Sequence, residues 1–138
     1  MTRPDFLQLE EVRTALADAC DIDGVTAYDY VPDSINVPAV VVGWPQAWAF
    51  HRAFVEGLEG SDDIPVRVLV SRGDAQKGQL ALARFIDEGP TSIREAIERD
   101  QTLGGRTVQV ICRYADSFGV SEVAGNSYYG CTFHVMVR

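Results

Sequence analysis

The stretch Pro90-Thr-Ser-Ile-Arg-Glu-Ala-Ile-Glu-Arg-Asp-Gln-Thr-Leu-Gly-Gly-Arg-Thr-Val-Gln-Val-Ile-Cys-Arg-Tyr114 is the densest piece of structural instruction in this chain. The Ser92 hydroxyl is placed to cap a helix, and Glu95, three residues on, is placed to return a bond to the Ser92 amide, the spacing of a capping box. Ile93, Ala96 and Ile97 share one side of a short helix, with Arg94, Glu95, Glu98 and Arg99 on the other. Gly104-Gly105 is expected to end it, because glycine enters the left-handed region without a Cβ penalty. From Thr107 the period switches to two: Val108, Val110 and Cys112 point one way, Thr107, Gln109 and Arg113 the other, as in a half-buried strand. These residues read as scaffold and not as chemistry.

Working toward the N-terminus, Asp74 can cap a helix over about 75–87 whose Gly78, Leu82, Phe85 and Ile86 line one side. Before it, Ile64 to Ser71 alternates, with Val66, Val68 and Val70 on one face. Ala39-Val-Val-Val-Gly43 is a continuous apolar strand of the kind buried on both faces. Val31 to Pro38 is a loop, since Pro32 and Pro38 lack amide donors. Val25 to Tyr30 is a short strand, and Leu9, Val12, Leu16 and Ala19 recur at helical spacing within a helix over roughly 6–20. The segment from Trp48 to Phe54 admits two readings. Alternation of its aromatics favours a strand that forms a hairpin with Ile64–Ser71 around a tip at Gly57–Asp63, but one or two helical turns fit as well. Toward the C-terminus, Phe118–Ala124 and Ser127–Arg138 form a hairpin around Gly125-Asn126, the composition of a type II′ turn. The expected order is α-β-β-β-β-α-α-β-β-β, an α+β domain over residues 1–138. Its sheet is mostly antiparallel, packed by an N-terminal helix and a central helix pair, with one projecting β-hairpin.

The 138 residues suffice for one domain with its own core. Hydrophobic residues make up 46% of the chain, yet no apolar run approaches the ~20 residues of a membrane span. No signal-peptide pattern opens the sequence, and three cysteines without CxxC spacing point to neither a disulfide framework nor a zinc site, so a reducing cytosol is the expected place of synthesis. The net charge of −8, with one lysine and eleven scattered arginines, argues against gripping a phosphate backbone.

Local motifs add little chemistry. Arg72-Gly73-Asp74 matches a cell-adhesion tripeptide but stands where a strand turns into a helix, where glycine serves the turn and aspartate the cap. Gly73 to Gly78 lacks the lysine position and following hydroxyl of a phosphate loop, and Asp74 would repel an anion there. Cys112 and Cys131 lie on apolar faces of strands, as inert thiols do, whereas His134 falls on the opposite, polar face of its strand. Glu56, Glu59, Asp62 and Asp63 lack calcium-ligand spacing and read as a solvated acidic loop. Trp44, Trp48, Phe50 and Phe54 are either core or an exposed apolar patch of the kind that marks an interface. No catalytic residue, metal site or cofactor follows from these residues.

Four segments, in order and spread between residues 31 and 137, resemble the tail terminator proteins of long-tailed phages, especially those of actinobacteria. They are Val31-Pro-Asp-Ser-Ile-Asn-Val-Pro-Ala-Val-Val-Val-Gly-Trp-Pro45, Ile64-Pro-Val-Arg-Val-Leu-Val-Ser-Arg-Gly-Asp74, Thr91 to Gly105, and Tyr129-Gly-Cys-Thr-Phe-His-Val-Met-Val137. The resemblance implies a non-enzymatic virion protein, assembled in the host cytoplasm. Six copies would form a ring on the head-proximal end of the tail tube, end tube growth, and present a joining surface to the neck proteins. DNA would pass through the lumen without specific binding, and no membrane is involved. Within that picture Trp48, Phe50, Arg52 and Phe54 are assigned to an inter-subunit or tube contact, and Glu56, Glu59, Asp62 and Asp63 to the lumen or a ring face. A head-completion, neck or minor tail protein is the alternative of the same class; a small enzyme or ligand-binding domain is the alternative of another.

Overall fold

A computed structural model describes residues 9–22, 24–48, 60–73, 75–87, 89, 92–103, 109–123 and 125–138. The described chain is α+β. Helix α1 spans Leu9–Ala19, followed by strands β1 (Thr26–Tyr28), β2 (Ala39–Val42) and β3 (Ser61–Val70). Helices α2 (Ala75–Ile86) and α3 (Ile93–Glu98) come next, then strands β4 (Val110–Val123) and β5 (Asn126–Val137). The strands form one mixed sheet in the order β1-β2-β3-β5-β4. Only the β1–β2 pair is parallel; β2–β3, β3–β5 and β4–β5 are antiparallel.

The three helices pack on one face. Val12 and Leu16 of α1, Leu82 and Phe85 of α2, and Ile93 and Ile97 of α3 are buried there. They meet Val40 and Val42, the run Ile64, Val66, Val68 and Val70, and Phe133, Val135 and Val137 from the strands, in a single cluster. This is the core that the period-two and helical patterns prescribe. The opposite face has a smaller cluster, Val41, Leu69, Val123 and Tyr128, covered by Tyr28, Ile35 and Val37. Tyr28 ends β1, Ile35 and Val37 come from the loop that links it to the parallel β2, and the Tyr28 hydroxyl accepts from the Asn36 amide at 3.2 Å to hold part of that loop down. With cover on both sides, all four residues of β2 are buried, as the unbroken apolar run requires.

Several local expectations are corrected. Ile64–Val70 is not the return arm of a hairpin with 48–54. Its neighbours are β2 on one side and β5 on the other. The chain beyond β2 continues along the same flank, Gly43 and Gln46 donating to the Pro65 and Asp63 carbonyls at 2.8 and 2.9 Å. Both edges of this strand are therefore taken. Its apolar alternation marks a central strand, a pattern that a half-exposed hairpin arm shares. Residues 49–59, and with them the strand-or-helix question, lie outside the described residues. Ser61, Asp62 and Asp63, expected at a hairpin tip, are the first residues of β3.

The two strands expected over 107–114 and 118–124 are one strand, and the order among the described residues is α-β-β-β-α-α-β-β. Pairing with β5 shifts register between Cys112 and Tyr114 and again between Asp116 and Gly119, which are β-bulges. Positive φ at Ser117 (57°) and Gly119 (133°) absorbs the second without ending the ladder. Val123 pairs with Asn126, so the hairpin connection is positions 124–125 and the left-handed Gly125 (φ 80°) is its second residue. A type II′ turn would need it first.

The start of α3 is a capping box with one arm redirected. Ser92 Oγ accepts from the Glu95 amide at 3.2 Å, as read. The Glu95 carboxylate accepts from the Gly89 amide and not from Ser92. The Ser92 amide is instead satisfied by the Gly89 carbonyl at 3.1 Å. The helix stops at Glu98, ahead of Gly104-Gly105, and Leu103 takes a positive φ of 47° in the turn that follows.

Candidate functional site

Among the described residues strand β4 is an outer strand of the sheet, 14 residues long, paired on one side by β5. An edge of that length presents unpaired amides and carbonyls to other chains. Phe118 (57% exposed) and Val120 (54%) project from it into solvent, and Tyr114 is also exposed. The two bulges bend the strand, one of the devices that limit uncontrolled edge pairing. The result is a long, partly apolar edge with a defined shape.

The inner end of this edge is tied to the centre of the sheet by His134. Alternation along β5 puts Cys131, Phe133, Val135 and Val137 into the helix-side core, so His134 stands on the other face. There Nδ1 lies 2.7 Å from Asp63 Oδ1 on β3, and Nε2 lies 2.6 Å from Asp116 Oδ1 on β4. The imidazole stacks on Tyr114, centroids 4.5 Å apart and planes at 21°, and the Arg113 guanidinium lies 5.7 Å from the centre of that tyrosine ring. A neutral imidazole has a single N–H and can donate to only one carboxylate; the imidazolium donates to both. Burial by itself would lower the His134 pKa. Hydrogen bonds to Asp116 and Asp63, and their charges, outweigh it and raise the pKa above its ordinary value.

With the ring protonated, this arrangement is an ionic clamp across three strands. It is a poor catalytic base, since both ring nitrogens are engaged and neither is free to accept a substrate proton. It is also a poor cation site, because the two carboxylates sit on opposite edges of the ring and do not converge on a common point. Among the described residues no group of three or more His, Cys, Asp or Glu is placed to hold a metal ion.

The thiols complete the inventory. Burial pushes Cys112 and Cys131 up to about 12, and raises Cys20 as well, so none carries the thiolate that nucleophilic or ligand chemistry needs. The Cys112 amide donates to Glu98 Oε2 at 2.8 Å, fastening α3 to β4.

Of the residues assigned from sequence to an interface, Trp48 is partly buried against the main core. Phe50, Arg52 and Phe54 lie outside the described residues, as do Glu56 and Glu59 of the proposed acidic surface. Asp62 lies in β3. Asp63 is not a solvated acid but the His134 partner, with a side chain 22% exposed. Sequence reasoning missed Tyr114 and Asp116 as its companions. The polar position of His134 was visible in the alternation, but the register that joins it to residues on two other strands was not.

Comparison with known proteins found no matching family model, no matching curated protein and no matching solved structure. Among the described residues no helix is long and apolar enough to cross a membrane.

Proposed function

We propose that this protein is a structural assembly protein of a phage virion, a ring-forming terminator at the head-proximal end of the tail tube. The observation that carries the reading is the β4 edge: a long outer strand whose exposed Phe118 and Val120 offer backbone and apolar surface to a neighbour. A closed ring needs two different surfaces per subunit, met head-to-tail, and a single-layer sheet with helices on one face has two unlike edges to supply them. The ordered resemblance of four segments to tail terminators supports the same reading. An acidic chain of net charge −8 suits a lumen that lets DNA pass.

In this account the ring meets tube protein on one side and neck proteins on the other, and the protein performs no catalysis. The engaged nitrogens of His134 disfavour a catalytic role for this cluster, since the ring has no free position for substrate. The test is the pair Phe118→Lys and Val120→Lys. Each places a charge on the edge without touching the core, so unfolding temperature should hold while ring formation on tube ends is lost. Rings that form normally from both variants would remove β4 as the joining edge.

A further inference from the structure

Arg13 lies in the apolar stripe of α1 and is only 8% exposed. Its Nη2 donates to the Val42 carbonyl at 3.0 Å, and its guanidinium carbon lies 4.4 Å from the centre of the Trp44 ring. Its Nε has no hydrogen-bond partner among the described residues. No ion pair among the described residues reaches it. A buried guanidinium is ordinarily matched by a carboxylate, because an uncompensated charge in the interior is costly. The shortfall is notable in a chain with 20 acidic residues against 12 basic ones. The aromatic ring that covers the cation is itself 67% exposed, and an exposed tryptophan over an arginine combines two residue types that dominate protein interfaces. Tyr30 and Val31, both exposed, follow β1 at the end of the sheet where Trp44 follows β2, because these strands run parallel with Tyr28 level with Val41.

A complementary surface stands on the far edge. There β4 carries Phe118 and Val120 together with Glu122, an exposed carboxylate in no ion pair among the described residues. We propose that Arg13 and Trp44 form a docking site for a carboxylate of a second copy of this chain, supplied by Glu122 on the β4 edge of that copy. The charge left unmatched over β2 meets its counter-charge on the β4 edge of the next copy, and the exposed indole packs on the apolar side chains beside Glu122. The Arg13–Trp44 site, at α1 and the end of β2, and the β4 edge are different surfaces of the chain, so the contact is head-to-tail and can propagate around a ring. The inference rests on the proposed assembly role only for that arrangement.

Sedimentation velocity of the full chain over a concentration series tests it, with Arg13→Met, Glu122→Gln and the double variant. The wild type should self-associate, and each single substitution should raise the dissociation constant about tenfold or more, since truncating a buried charged partner acts strongly on dissociation. The double variant should be no weaker than the weaker single, because both remove the same contact. Arg13→Met should leave the monomer as stable as before or more so, since an apolar chain of similar volume replaces an unmatched buried charge; an arginine that serves only the fold would give the opposite. Glu122→Gln lies on the exposed edge and keeps the test decisive if Arg13→Met fails to fold. A wild type that stays monomeric throughout, an association untouched by either single variant, or losses that simply add would overturn the proposal. Tubes left uncapped by a protein that associates through this contact would sink the assembly role and spare the contact; capping by a strictly monomeric protein would do the reverse.

Discussion

Replacing His134 by glutamine removes the imidazole ring that joins β3, β5 and β4, and the geometry sets the size and pH dependence of the loss. The bond to Asp63 is well shielded, with side chains 14% and 22% exposed, and a charge-assisted bond of that kind contributes about 1.5–3 kcal/mol. The Asp116 side chain is 49% exposed, so solvent screening holds its share below about 1 kcal/mol. Glutamine can keep one neutral hydrogen bond, which leaves a net loss of about 2 kcal/mol at pH 6, or roughly 6 °C in unfolding temperature for a domain of this size. The folded pKa of His134 is raised. Its contribution is therefore complete below the unfolded value of about 6.5 and declines as pH rises through the folded pKa, where the ring must give up one of its two donors. Thermal unfolding of wild type and His134→Gln from pH 5.5 to 9 should give curves that are well separated at the acid end and converge toward the alkaline end. A separation that is constant with pH, or a ring pKa below 6.5 by NMR titration, would refute the clamp.

Three further outcomes follow from packing. A Cβ on Gly78 would meet the Ser71 carbonyl oxygen at 2.6 Å and Tyr129 Cδ2 at 3.2 Å. Gly78→Ala should therefore lower stability by about 1–3 kcal/mol in urea unfolding, against the ~0.5–1 kcal/mol gain that the same change gives in an unobstructed helix. Ser92→Ala removes the acceptor for the Glu95 amide and should cost about 1 kcal/mol by the same assay. All three cysteines are buried, and their thiols should resist alkylation in the folded protein at pH 8 and react together on denaturation, as mass spectrometry would show.

The parts of the fold legible in the sequence are those governed by local period and local capping. The stripe of Val12 and Leu16, the doubly buried Ala39–Val42, the helix side of Gly78, Leu82 and Phe85, and the alternation of β5 each answer to one element and its core. Non-local pairing was not legible. Asp116-Ser-Phe-Gly119 has the composition of a turn, yet two positive-φ residues let it pass as a bulge in a single strand. Ile64–Val70 alternates equally well as a hairpin arm or a central strand, and only the identity of its neighbours decides. Asp63 and His134 are 71 residues apart, and nothing local announces that they meet. Arg13 offered a usable signal. It stands four residues after Leu9 in the apolar stripe, where a charge at a buried position calls for a partner.

The most direct test of the central claim is electron microscopy of tail-tube protein assembling with and without this protein. The account predicts tubes that stop growing and carry a distinct ring at one end. Tubes that keep their uncapped ends and their length distribution would contradict it.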